Sequence, residues 1–285
     1  MRVRPMRAED VGEAASVAAA AIGGAEEAAQ HAEATARRAE RVRAEAEHLL
    51  RYDAGGCWVA DGPDGLLGVA LSLRRELLWG LSMLAVRPGA QGSGVGKALL
   101  EAALGYSRGC LRGLAVSTPD GRAARRYRLA GFLLHPTMEL TGTVDRSVLP
   151  VVEHVRDGTP GDLDLCDSVA RQVRGAAHGV DHGLLVRRAH LLVCDTFTGS
   201  GFAYVGEGGP VLMAATSRLV AQRLLWEVLA RSAPGSTVSV SDLTADQDWA
   251  VEVGLAAGLS VRPDGWVAVR HMRPPAPYLP SSAVL

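Results

Sequence analysis

The stretch Leu84-Ala85-Val86-Arg87-Pro88-Gly89-Ala90-Gln91-Gly92-Ser93-Gly94-Val95-Gly96-Lys97, continued by Ala98-Leu99-Leu100-Glu101-Ala102-Ala103-Leu104, decides the fold. It reads as strand, glycine loop, helix. Gly92, Gly94 and Gly96 let successive backbone N–H groups turn toward one point at a helix N-terminus, where unpaired amides and the helix dipole favour a phosphate-bearing ligand. Spacing excludes two commoner phosphate loops. A Walker loop, G-x-x-x-x-G-K-[ST], fails because Gln91 holds the place of its first glycine and Ala98 follows Lys97. A dinucleotide fingerprint, G-x-G-x-x-G, fails because Lys97 stands where its third glycine belongs.

The remainder of the chain sets the frame for that loop. At 285 residues it favours two domains of ordinary size, each able to bury a core. A formal net charge of −1 implies no field that would capture nucleic acid or an anionic membrane. No charged-then-apolar leader and no apolar run of membrane-span length is seen, so a soluble cytoplasmic protein is expected. Cys57, Cys110, Cys166 and Cys194 are scattered without a C-x-x-C pair and read as reduced thiols. His178 and His182 flank Asp181 at helical spacing, but Gly175, Gly179 and Gly183 weaken any helix there and no third ligand is near, so no metal is expected. Lys97 is the only lysine, which speaks of coding bias more than chemistry.

The motif Q-G-x-G-x-G after a strand ending in Val-Arg-Pro resembles the acetyl-CoA loop of the GNAT N-acetyltransferase superfamily, (R/Q)-x-x-G-x-(G/A). The surrounding elements come in that family's order. Val3-Arg4-Pro5 with Ala8-Glu9-Asp10 looks like its first strand and helix start. Cys57 to Gly62 and Leu66 to Leu71 look like its second and third strands, and Leu78 to Val86 like its fourth. Leu114 to Ser117 reads as strand five. Asp120-x-x-Ala123-x-x-x-Tyr127-x-x-x-Gly131-Phe132 is similar to the family's N-x-x-A-x-x-x-Y-x-x-x-G-F helix, with Asp for Asn. Val11 to Leu50 reads as two helices broken near Gly23-Gly24. The second is rich in alternating Glu and Arg, and is either a wall of the acceptor site or an exposed helix.

A boundary is read between Thr143 and Pro150, giving an acetyl-CoA-binding domain over residues 1–145 and a second, degenerate copy over 150–285. Val151 to Thr159 with Asp162 to Val173 repeats the strand-then-helix opening. His190 to Cys194 and Gly201 to Gly206 form a hairpin, Val211 to Thr216 leads into a helix from Leu219 to Ala230, and Thr237 to Val240 precedes a helix from Asp246 to Gly258. Ala214-Ala215-Thr216-Ser217-Arg218 contains no glycine, so this copy cannot wrap a diphosphate as the first can. It is read as a scaffold, with substrate binding left open. The fold class implied is α/β (α+β): two tandem GNAT-type folds, each a twisted mixed sheet flanked by helices.

What the resemblance implies for function is direct acetyl transfer from acetyl-CoA, as cosubstrate, to a primary amine of a small molecule or peptide, in a monomer or homodimer. The alternative is a non-catalytic acyl-CoA-binding regulatory or interaction protein. Amides of Leu84, Ala85 and Val86 would meet the pantetheine arm and polarise the thioester. Gln91, Gly92, Ser93, Gly94, Val95, Gly96 and Lys97 would hold the diphosphate. Asp120 and Ala123 would border the cofactor, and Tyr127 would protonate the departing thiolate. Arg122, Arg125 and Arg126 either reach a CoA phosphate or form an exposed face. Many family members carry a glutamate base on strand four, where this chain has Gly80. Some multi-domain relatives bring their terminal carboxylate to the site instead, so Leu285 enters as a candidate base. The Pro-rich segment from Pro274 to Leu285 is expected to be docked.

Overall fold

The computed structural model describes the backbone of residues 1–23 and 32–285. Two compact units divide the chain, Met1–Gly113 and Leu114–Leu285. Packing thus parts the chain upstream of the Thr143–Pro150 connector, which itself carries only a short turn at Arg146–Val148.

In the first unit β1 (Arg2–Pro5), β2 (Cys57–Gly62), β3 (Gly65–Arg75) and β4 (Leu78–Val86) form an antiparallel ladder in that order. Helices α1 (Val11–Gly23) and α3 (Val95–Gly105) pack on β3 and β4, and α2 (Ala32–Tyr52) packs on α1. β3 and β4 are apolar on both faces because helices cover both; Leu71, Leu73, Leu78, Trp79 and Leu99 are wholly buried. Helix α1 ends at Gly23, and Gly24 lies outside the described residues. In α2 the expected i,i+4 pairing occurs, Arg43 to Glu47 at 3.2 Å. The helix nonetheless buries Val42, Ala46 and Leu49, and with them Glu45 and His48. Its charge pattern hid this face, because the buried stripe is supplied by small and polar residues.

The second unit takes up the chain through β5 (Arg112–Ser117), then α4 (Gly121–Leu129), β6 (Leu133–Thr143), β7 (Val155–Asp157), α5 (Leu163–Arg174) and α6 (His182–Leu185). There follow β8 (His190–Thr196), β9 (Gly199–Gly206), β10 (Gly209–Ala215), α7 (Arg218–Ala230), β11 (Thr237–Leu243), α8 (Asp248–Ala256), β12 (Ser260–Arg270) and β13 (Tyr278–Leu279). Neighbouring strands run β5-β12-β6-β11 in one sheet and β13-β10-β9-β8-β7 in the other. β6 lies between two strands of the later sequence. Its Leu140 is opposite Val261 of β12 on one edge and Val240 of β11 on the other. Leu140 then anchors a core with Leu224, Val240, Trp249 and Val253.

The openings of the two halves share one local device. The Arg4 guanidinium donates to both carboxylate oxygens of Asp10, at 2.7 and 2.8 Å, while Asp10 also accepts from the Arg7 N–H. The Arg156 guanidinium grips Asp162 at 2.9 and 2.5 Å, while Asp162 accepts from the Thr159 N–H. In each case the carboxylate closes a short turn before a helix, satisfying donors that have no intrahelical partner. A repeated six-residue offset from arginine to aspartate is what an internal duplication leaves behind.

Candidate active site

The glycine loop opens onto free space at its two left-handed positions. Gly92 and Gly94 take φ of +83° and +92°, and a Cβ built at either meets no atom within 4 Å. Gly94 is the residue before α3 and stands in the left-handed region, which L side chains disfavour. Residues 91–94 form a turn ahead of α3, and Ala98 N–H closes on Gly94 O at 3.1 Å as the helix begins. Gln91 braces the loop by donating its Nε2 to Val86 O at 3.2 Å, and Ser93 Oγ donates to Ala90 O at 2.6 Å. Val86 and the residues from Gln91 to Lys97 thus meet at one helix start. Such a site fits a diphosphate. Lys97 is largely exposed and lies 3.7 Å from Glu101.

Upstream, β4 carries a bulge. Leu71 pairs with Met83 and Ser72 with Leu81, so Ser82 is the extra residue. Its hydroxyl is buried and has no hydrogen-bond partner among the described residues. Ser82 lies two residues beyond Gly80, where a base was sought, and the motif reading passed over it. Only the strand pairing reveals the bulge.

In the second unit, Asp120 caps α4. Its carboxylate accepts from the N–H of Arg122 at 2.6 Å and of Ala123 at 3.4 Å, and Arg122 folds back on it at 2.9 Å. The Arg122 side chain accordingly holds Asp120 below the usual carboxylate range. Tyr127 projects inward from the same helix, edge-on to Phe132 with ring centroids 5.9 Å apart. Burial pushes its phenol up to about 12, against a lowering hydrogen bond with Ser117 at the end of β5. A phenol so placed stays protonated at neutral pH and can act only as a donor of its proton.

The counterpart turn of the second half is closed by its own side chains. Ser217 caps α7 by accepting from Val220 N–H at 3.4 Å, and Thr216 Oγ1 accepts from Ser200 N–H at 2.9 Å. β10 and β11 touch at one end, where Ser239 N–H donates to Gly208 O at 2.8 Å. Farther along, β13 pairs with the free edge of β10, placing Leu279 opposite Met213 and Tyr278 opposite Ala214. Gln247 holds this tail from both sides of its amide, donating to Pro275 O at 2.8 Å and accepting from Tyr278 N–H at 3.2 Å. Leu285 is wholly buried, and its main-chain oxygen accepts from the Arg174 guanidinium together with Val284 O and Ala177 O. The docked tail matches expectation, and Leu285 is engaged with Arg174.

His178 and His182 serve a buried hydrogen-bond network. His182 uses one ring nitrogen on Asp167 at 2.9 Å and the other on the Tyr204 hydroxyl at 2.8 Å, leaving neither for a ligand. No group of three metal-ligating side chains occurs among the described residues. All four cysteines are free thiols. No helix among the described residues is long and apolar enough to cross a membrane.

Residues 24–132 match the family model described as acetyltransferase (GNAT) family. No curated protein matches the chain in sequence. Among solved structures, a Pyrococcus horikoshii protein assigned as an acetyltransferase superposes with a TM-score of 0.74 at 16% identity, over 95% of this chain and 89% of that one. A GCN5-related N-acetyltransferase from Sphaerobacter thermophilus gives 0.61 at 17% identity, covering 96% of both chains. The tandem GNAT protein of the clavulanic acid biosynthesis pathway gives 0.60 at 15% identity, over 94% of this chain and 97% of that one. At these identities the likeness is one of fold, over nearly the whole of each chain.

Proposed function

Because residues 24–132 match the acetyltransferase (GNAT) family model, we propose that the chain transfers an acetyl group from acetyl-CoA to a primary amine of a small molecule or peptide. The observation that carries this reading is the glycine turn at the start of α3, where Gly92 and Gly94 take positive φ and a Cβ built at either meets no atom within 4 Å. Acetyl-CoA supplies an acyl carbon already activated as a thioester. Amides of Leu84 to Val86 donate to the pantetheine arm and to the thioester oxygen, where one well-aimed donor contributes about 3 kcal/mol at the barrier. The amine nitrogen bonds to the acyl carbon, the C–S bond breaks, and Tyr127 gives its proton to the departing sulfur. The amine's own proton leaves to water.

In this reading only the first half takes the coenzyme. The second lacks the glycines, spends the hydroxyl of Ser217 on its own helix start, and fills the opening between β10 and β11 with the backbone of Tyr278 and Leu279. It is a scaffold that keeps the fold and has exchanged the ligand for a segment of the chain.

Thiol release from acetyl-CoA across a panel of primary amines tests the proposal. Amine-dependent release that collapses in Tyr127→Phe supports it. Tight coenzyme binding without release under any amine overturns it in favour of a non-catalytic acyl-CoA-binding module, a reading that the glycine at position 80 would suit.

A further inference from the structure

Arg87 stands where β4 gives way to the glycine loop, directly before the short turn Pro88–Ala90. The loop's own bonds run back to this corner. Ala90 N–H donates to Arg87 O at 2.8 Å, Gln91 Nε2 to Val86 O at 3.2 Å, and Ser93 Oγ to Ala90 O at 2.6 Å. These bonds shape the loop and leave its direction to whatever holds Arg87. That residue is gripped by both its main chain and its side chain. Its N–H donates to Leu67 O at 2.9 Å, its Nε to Leu66 O at 2.9 Å, and its Nη2 to Glu13 Oε1 of α1 at 3.2 Å.

Glu13 closes the ring from the other side. The same Oε1 accepts from the Leu66 N–H at 2.8 Å, so the two side chains between them take both main-chain polar groups of one residue. Leu66 is buried at the start of β3, just after the β2–β3 turn. The turn is shaped for the carboxylate: Gly65 has φ +111°, and a Cβ built there would lie 2.3 Å from Glu13 Oε1. Arg87 and Glu13 are half-exposed, and an exposed ion pair by itself fixes little. Here the pair encloses a peptide that belongs to the sheet, with Leu66 in register opposite Asp61 of β2. The guanidinium suits this task because its planar fork reaches two acceptors at once.

We propose that Arg87 and Glu13 are positioning residues for the coenzyme: together they set the direction in which residues 88–94 leave β4, and so hold Gly92 and Gly94 in the geometry that receives the diphosphate. That the pair sets the loop stands on these bonds; that the loop takes coenzyme A rests on the acetyltransferase reading above. Neither side chain is itself a ligand. In the motif Val-Arg-Pro the arginine serves only as a spacing mark, whereas the structure gives it a partner 74 residues earlier in the chain.

Two measurements on the full chain test the proposal. Amide hydrogen exchange without coenzyme reads the loop: in Arg87→Met the amides of positions 87 and 90 should exchange about tenfold faster, with Leu71 of β3 and Leu100 of α3 unchanged. Calorimetry with coenzyme A reads the consequence. Affinity should fall by about tenfold in Arg87→Met and about threefold in Glu13→Gln, and the double variant should be no weaker than Arg87→Met alone, since both changes remove one device. Glu13→Gln is the sharper variant, because electrostatics alone predicts the opposite sign. Removing a carboxylate near an anionic ligand strengthens binding if Arg87 is a direct phosphate ligand, and weakens it if the carboxylate holds the loop. Unaltered or raised affinity in Glu13→Gln, or additive losses in the double variant, overturns the positioning role. Faster exchange throughout the first unit in Arg87→Met overturns it too, in favour of a general contribution to stability. Should the native chain bind no coenzyme A, the coenzyme reading falls, and the exchange of positions 87 and 90 still decides whether the pair fixes the loop.

Discussion

Leu279 of the tail stands opposite Met213 of β10, in register with an edge that no other strand of that sheet covers. At the far end of β10, Ser239 of β11 reaches Gly208 at 2.8 Å, so the two strands meet at one end and admit β13 at the other. The last N–H of β10, that of Ala215, is taken by Pro277 O of the same tail at 3.2 Å. An edge strand left open would invite pairing with a foreign chain.

The Arg174 guanidinium is the tail's main fastening. It is 1% exposed and donates to Ala177 O at 2.7 Å and Val284 O at 3.1 Å. Arg174→Met should cost about 3 kcal/mol, since it strands several buried carbonyl oxygens at once. Urea unfolding at constant slope reads the loss, and thermolysin should release the segment after residue 273 faster than from the native chain. An unchanged midpoint and cleavage rate would remove Arg174 from this role.

Gly94→Val tests the cradle. A β-branched residue at φ +92° carries a backbone penalty of about 1–2 kcal/mol, and relieving it would turn the loop's N–H groups away from their common point. Coenzyme A affinity should fall by about tenfold or more. Ala98→Gly, on the same helix but behind the cradle, should leave affinity within about twofold, the spread expected of a helix change that touches no ligand.

Much of the first half was legible because its elements announce themselves locally. The glycine loop precedes a helix, and Asp120 and Tyr127 fall at the start of and within another, the elements that the order of the motifs suggests. What stayed hidden depended on partners distant in sequence. The alternation in β6 shows a strand, but nothing within Leu133–Thr143 says that Ser260–Arg270 and Thr237–Leu243 will flank it. β13 is two residues in a proline-rich run, too short for any periodicity. Ser82 became visible only as a register shift, and Asp242 only through its neighbours Asp264 and Glu139.

Tyr127→Phe removes the proton donor and keeps the ring against Phe132. Turnover should drop by about a hundredfold with coenzyme A affinity nearly intact, the pattern of a group that acts at the barrier. A parallel loss of coenzyme affinity would make Tyr127 a packing residue instead.

Two sets of carboxylates pull stability in opposite directions with pH. Asp10, held down by Arg4, and Asp162, held down by Arg156, have folded values below their unfolded ones. Their contribution is present above about pH 4 and is lost as pH falls through the folded values. Burial, then Asp264 and Glu139, raise Asp242 to about 7, so the folded chain retains a proton that the unfolded chain has released. Stability from this group is therefore full below about pH 4 and declines as pH rises toward 7. Melting temperatures from about pH 2 to 8 should show a flatter decline above pH 4 in Asp242→Asn than in the native chain, and a deficit in Arg156→Met confined to the alkaline side of pH 4. A decline of equal steepness in Asp242→Asn would contradict the raised carboxyl.

Calorimetric titration of the full chain with coenzyme A tests the central claim most directly. One molecule per chain, with binding that collapses in Gly94→Val, is the predicted result. No heat on titration, or an affinity that survives Gly94→Val unchanged, would contradict it.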